Sequence, residues 1–312
     1  MPNYARITDP IIELVKKAID KDDPTVLPWR REWKPGDSIM PTNHYTGRAY
    51  SGCNIINCWV SSSLKGFESN RWLTFNQMKT QGYQLIGETG DPCRQSTPIL
   101  YFQPEKIDKG TGEVIHRAMY KIYNVFNTEQ VVGLNLEKEA DYDHDPASIG
   151  DAIKIPKALG VKLTGGEPSF NLLTDTIKMP DLCKFTSPQA FMANLAHECV
   201  HATGHKKRLD RDMTGRFGDE KYAFEELIAE LGAAFICAEW GLSYKLENHA
   251  AYLTSWLKAL ENDPKYIVEA SSKANKATKF IAEQLVNWDI QSETKGSLDE
   301  LLQYDPEERL YA

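Results

Sequence analysis

Residues 186–208 have little choice but to fold as a helix with two histidines on one face. Thr186 and Ser187 offer a capping hydroxyl, and Pro188 stands where a first helical turn tolerates proline. Phe191, Leu195 and Val200 give an apolar side. Gly204, followed by Lys206, Lys207 and Arg208, supplies a stop with positive charge at the negative end of the dipole. Within this helix, His197-Glu198-Cys199-Val200-His201 stacks two imidazoles at i and i+4, because a turn takes about 3.6 residues. Both can hold one divalent metal while Glu198 reaches a water bound to it, the arrangement of a zinc peptidase.

A catalytic zinc takes three protein ligands and a water, so a third must come from elsewhere. The continuation HExxHxxGxxH fails because position 207 is Lys. His205 on a continuing helix would lie about 12 Å from His197, so it reads as an orienting or surface histidine. The next helical pattern runs from Asp219 through Phe235 and carries Glu225, Glu226 and Glu230 in an apolar stretch. Carboxylates are rarely buried alone, so at least one should meet a cation or metal. The register favours Glu226 as third ligand, with Glu225 and Glu230 as alternatives. Glu230, on the same face, would then accept the free N–H of a metal-bound histidine.

Such a gluzincin-like set implies metal-assisted hydrolysis, with Glu198 taking a proton from water and returning it to the leaving amine. Tyr222 and Tyr252 are candidate donors to the oxyanion, with packing the simpler reading of both. Thr174–Pro180 alternates polar and apolar residues and ends in proline. It reads as an edge strand of the kind that pairs with an extended peptide.

A length of 312 residues permits two domains, each large enough for its own core. No stretch of 18 apolar residues occurs and the N-terminus lacks an apolar signal core, so a cytoplasmic protein without membrane spans is expected. The six cysteines form no CxxC and read as free thiols. Charge is uneven: the first 130 residues carry 16 Lys and Arg against 14 Asp and Glu, the remainder 20 against 30. The acidic, turn-rich segment 137–150 reads as a linker between a domain at 1–136 and another at 151–312.

The first half begins with an amphipathic helix marked by Ile7, Ile11, Ile12, Leu14, Val15 and Ala18. Aromatics then interleave with cations, as in Trp29-Arg30-Arg31-Glu32-Trp33, Arg48-Ala49-Tyr50 and Arg71-Trp72. Flat rings that stack on bases beside cations that meet phosphates suit single-stranded nucleic acid. The same tryptophans would serve equally as core residues. Residues 95–103 and 119–126 read as two strands of a long hairpin, making this an α+β domain.

These residues resemble the ArdC-type anti-restriction proteins of conjugative plasmids and related mobile elements. The likeness runs through Gly47–Asn54, Trp72–Gln77, Tyr120–Asn127, Asp175–Pro180, His197–His205, Arg208–Arg211, Glu225–Leu231 and Asn262–Lys265. The resemblance implies an α+β fold of two domains: an N-terminal α+β single-stranded-DNA-binding domain and a mostly helical, zincin-like metallopeptidase domain with a small sheet. It also implies one divalent metal, zinc or manganese, held by His197, His201 and Glu226, with Glu198 catalytic. The expected partners are single-stranded DNA and a host protein substrate, and the expected role is protection of incoming DNA from restriction. Trp29, Arg31, Arg48, Tyr50, Asn54, Arg71 and Trp72 are the candidate DNA contacts. The family's basic stretch after its T-x-x-Q motif is replaced here by Gln84–Gly90, which has no cation and implies weaker DNA affinity.

Two rival readings stand beside this one. A DNA-binding protector with a structural or vestigial metal would not need Glu198 as a base. A general intracellular peptidase with an accessory adaptor would not bind DNA.

Overall fold

The structure, a computed structural model, describes residues 3–30, 40–86, 95–108, 110–112, 114–134, 149–216, 219–242 and 252–295. Arg31, Trp33, the expected linker up to residue 148 and the acidic tail from residue 296 lie outside them.

The apolar stripe of the N-terminus becomes the buried face of α1 (Ala5–Asp20). This face lies on α7 (Leu253–Asn262). Thr8 donates to the carbonyl of Pro264 at 2.7 Å, and Lys16 pairs with Glu261 at 2.7 Å. A 3-10 turn, Pro28–Arg30, then enters the interior with Trp29 buried.

The first sheet has the order β1-β2-β7-β4, formed by β1 (Thr42–Asn43), β2 (Arg71–Thr74), β4 (Thr97–Gln103) and β7 (Met119–Asn127). The hairpin expected over 95–126 is present, in unbroken antiparallel register from Thr97↔Val125 to Gln103↔Met119. A small ribbon of β5 (Lys106–Ile107) and β6 (Val114–His116) prolongs it, while β3 (Gln84–Leu85) pairs with β8 (Val131–Val132).

An unpaired strand edge must be covered or solvated. Here α2 (Cys53–Lys65) covers the edge of β4: the Asn54 amide donates to the carbonyl of Leu100 at 2.8 Å and accepts from its N–H at 2.7 Å. The helix α3 (Phe75–Thr80) starts at a capping box in which Gln77 N–H donates to Thr74 Oγ1 at 3.2 Å and Thr74 N–H donates to Gln77 Oε1 at 2.8 Å.

After α4 (Ile149–Ala158), a second sheet has the order β10-β11-β9, with β9 (Lys162–Gly165), β10 (Ser169–Asn171) and β11 (Thr176–Met179). The edge strand expected at Thr174–Pro180 is therefore corrected. β11 is central, parallel to β9 and antiparallel to β10, and β9 and β10 are the edges, with β10 at the cleft. Three residues behind Pro168 are too short a run for alternation to register, so the partner that covers β11 was invisible.

The helices α5 (Pro188–Thr203), α6 (Glu220–Glu239) and α8 (Tyr266–Lys295) pack together behind this sheet. One cluster of buried side chains runs from α1, Trp29 and α2 into α4, α5, α6, α7 and α8. Trp59 of α2, for example, meets Phe235 of α6 with ring centroids 5.9 Å apart. The length admits two separate cores; the largest one instead spans both halves. Burying one Ile, Leu or Phe side chain in such a core is worth about 1.5–3 kcal/mol. Among the described residues, five cysteines are free thiols, and no helix is long and apolar enough to cross a membrane.

Candidate metal centre

The site begins with the cap of α5. Ser187 Oγ accepts from the N–H of Ala190 at 3.1 Å, and Pro188 occupies the first turn. Gly204 ends the helix with a right-handed φ of −71°, so it is not a left-handed cap. A Cβ there would lie 2.5 Å from Met213 Sδ and 2.9 Å from Arg211 Nη2, so close approach is what requires glycine. On α6, Gly232 has the same use: a Cβ would meet the Val200 methyls at 2.8 and 2.9 Å. That contact seats α6 directly against the last turns of α5.

The seating brings His197, His201 and Glu226 together, all three buried. The two Nε2 atoms are 3.1 Å apart, and the Glu226 carboxylate stands 3.5 Å from that of His197 and 3.6 Å from that of His201. Tetrahedral donors bonded at about 2.0–2.2 Å to one ion lie about 3.3–3.6 Å from each other. The triangle therefore fits a divalent metal. Burial alone would raise the Glu226 carboxyl, but the hydrogen bond with His197 and the two imidazoles hold it down to about 2. Burial would lower His201, yet the Glu225 hydrogen bond and the nearby carboxylates raise it to about 9. Glu198 is raised chiefly by burial, partly offset by the two histidines and the Phe170 backbone of β10.

A second layer fixes this triangle. His201 Nδ1 lies 3.2 Å from Glu225 Oε1, leaving Nε2 to face the other donors. Arg211 grips the same carboxylate with Nε at 3.0 Å and Nη2 at 2.6 Å, and also donates to Thr203 Oγ1 and the Val200 carbonyl. Burial works against Glu225, but His201 and Arg211 hold its carboxyl below the usual range. His205 is buried outside the triangle, with Nδ1 3.7 Å from Asp175; Arg208 ties Asp175 in turn to the C-terminal end of α5.

The orienting role expected of Glu230 is corrected. Its carboxylate is turned to Arg30, which donates from both Nε and Nη2, and Glu225 takes the histidine instead. Sequence reasoning missed Arg211 and Gly232; Arg208-Leu209-Asp210-Arg211 lies within the family likeness, but nothing in its spacing points to Glu225.

The triangle opens onto a cleft of about 470 Å³. Ser169 and Phe170 of β10, Asn194 and Met213 line it, and Tyr222 and Tyr252 face it with hydroxyls 3.4 Å apart. Both tyrosines are held above their ordinary pKa, mainly by burial.

The candidate DNA contacts are scattered. Trp29 and Trp72 are buried, so the stacking role expected of them is corrected: neither ring can reach a base. Asn54 spends its amide on Leu100. Tyr50 is half-buried against Cys58 and Trp72, Arg71 is half-buried, and Arg48 is exposed.

Two catalogued families meet in this chain. Residues 1–126 match the N-terminal domain of the anti-restriction factor ArdC, and residues 151–273 match a zincin-like metallopeptidase. The fold and the donor triangle thus define a zincin-like domain joined to an ArdC N-terminal domain. The crystal structure of the antirestriction ArdC protein from the R388 plasmid, in its metal-free form, superposes with a TM-score of 0.72 at 35% identity, covering 91% of this chain and 98% of that one. Its Mn(II)-bound form gives 0.71 at 34%, covering 92% and 99%. The chain belongs to the ArdC family of antirestriction proteins.

A Sinorhizobium fredii protein, y4eC, is 32% identical over 90% of this chain and 92% of its own length. The DNA primase TraC of Escherichia coli is 32% identical over 90% of this chain, which spans only 27% of the primase.

Proposed function

We propose that this chain binds single-stranded DNA and hydrolyses peptide bonds, and that it protects incoming plasmid DNA from the restriction system of a recipient cell. The observation that carries the catalytic part is the donor triangle of His197, His201 and Glu226 beside a buried Glu198 on an open cleft. A structural metal needs neither the cleft nor the base.

His197, His201 and Glu226 would hold the ion, zinc or manganese; the Mn(II)-bound relative supports the second. When bound, such an ion polarises a carbonyl and makes a water acidic near neutral pH. Glu198, raised by burial, accepts that proton and passes it to the leaving amine. Tyr222 and Tyr252 face the cleft as donors to a developing oxyanion. The free edge of β10 would align an extended peptide beside Glu198. Glu225, gripped by Arg211, keeps the His201 ring turned to its task.

The test is Glu198→Gln, compared with wild type for metal content, single-strand affinity and protection during conjugation. Retained metal and DNA binding with lost protection is the expected result. Full protection by the variant would make the chain a DNA shield with no need of hydrolysis.

A further inference from the structure

Trp29 and Trp72, two of the rings that sequence patterning singled out, lie in the interior, whereas well-exposed rings stand on the β4–β7 hairpin. On the outer half of the β4–β7 hairpin, Tyr101 and Tyr123 are 52% and 47% exposed with ring centroids 5.7 Å apart. The register sets Tyr101 opposite Lys121 and Ile99 opposite Tyr123, which puts all four on one face, with Gln103 and Met119 beyond. Among the described strand positions that face carries two tyrosines and a lysine and no carboxylate, in a chain of net charge −8, and the Gln103 amide is turned to His116. The opposite face also bears an exposed aromatic pair, Phe102 and Tyr120, 52% and 42% exposed and 5.2 Å apart, but its inner half, Leu100 and Ile122, leads into the shared core and neither strand places a lysine or arginine on it.

We infer that the Tyr101–Lys121–Tyr123 face is the surface that binds single-stranded nucleic acid. Half-exposed rings offer flat area to any base, and Lys121, paired with Tyr101 on the same face, meets a phosphate. The absence of carboxylates removes the repulsion that the acidic remainder of the chain would impose. A two-stranded ribbon holds these side chains on paired backbone, so stacking orders the strand and leaves the protein unchanged. The inference rests on the single-strand reading above, and gives it a location that Trp29, Trp72 and Asn54 cannot supply.

The experiment titrates the full chain into a fluorescent oligothymidylate about 16 nucleotides long and follows anisotropy at several salt concentrations. Tyr101→Ala and Tyr123→Ala should each weaken binding roughly five- to a hundredfold, and Tyr123→Trp should restore it. Lys121→Gln should flatten the salt dependence by about 0.7 in the log–log slope. Phe102→Ala, on the opposite face, should bind within about twofold of wild type. Circular dichroism and metal content, unchanged, would show that the exposed substitutions leave the fold intact. Wild-type binding with no loss in either tyrosine variant overturns the location alone. Equal loss in Phe102→Ala overturns the choice of face. A shift of oligomeric state in the tyrosine variants would make the face a contact between copies and overturn the inference. A wild-type chain that binds no oligonucleotide overturns the single-strand reading itself.

Discussion

Arg30 and Glu230, 200 residues apart, form a two-pronged ion pair with side chains 3% and 0% exposed. The pair joins the 3-10 turn of the first half to α6, one turn beyond Glu226. Breaking a buried pair strands a charge, whereas replacing both partners by apolar groups often costs nothing. Arg30→Ala should lose about 3–5 kcal/mol in urea unfolding, and the double variant Arg30→Met/Glu230→Leu should recover it. A single variant as stable as wild type would mean the pair is solvated in solution.

The three buried glutamates of α6, Glu225, Glu226 and Glu230, should behave differently towards metal. Glu226→Ala should lower bound metal below one ion per chain. Glu225→Gln should keep the stoichiometry but weaken affinity about 10- to 100-fold, since it orients His201. Glu230→Gln should change stability with stoichiometry intact. Plasma emission spectrometry and competition with a chelating dye separate the three.

Helix seating can be tested at a residue that touches no metal. Gly232→Val must push α6 off Val200, where a Cβ would already sit at 2.8 Å. Overpacking of this kind costs about 1–3 kcal/mol. Because the same displacement carries Glu226 away from the histidines, metal affinity should fall with stability, while Gly241→Ala, which has space for a Cβ but strains a φ of +67°, should lower stability and leave metal binding alone.

Asn54 should prove to be structural. Its loss leaves the N–H and carbonyl of Leu100 without the partner that closes the β4 edge, a cost of about 1–3 kcal/mol. Asn54→Ala should therefore lower the unfolding midpoint and leave single-strand affinity per folded molecule unchanged. A selective loss of DNA binding at unchanged stability would return Asn54 to the interface.

What the sequence made legible was local. The cap at Ser187, the stripe on α1, the β4–β7 hairpin and the spacing of His197 and His201 depend on neighbours a turn or a strand away. The choice among Glu225, Glu226 and Glu230 depends on Arg211 and Arg30, which approach from distant segments, so no periodicity could assign the orienting glutamate. Trp29 and Trp72 misled because a ring beside a cation has the same pattern whether it stacks on a base or fills a core. The Thr74-x-x-Gln77 motif was visible as a family signature, but it is a capping box that shapes a turn, and Asn127 with Gln130 forms another. The strand edge at the cleft was hidden because β10 is only three residues long.

The core that runs from α1 to α8 also bears on how such a sequence can be inherited. A half whose apolar face is completed by the other half exposes that face when it travels alone, and selection removes it. The matched stretch accounts for 92% of y4eC but only 27% and 20% of two TraC primases, and in each case about nine-tenths of this chain is retained. In all three the peptidase-like helices and the α1–α2 segment occur together, as one unit, in proteins of very different length.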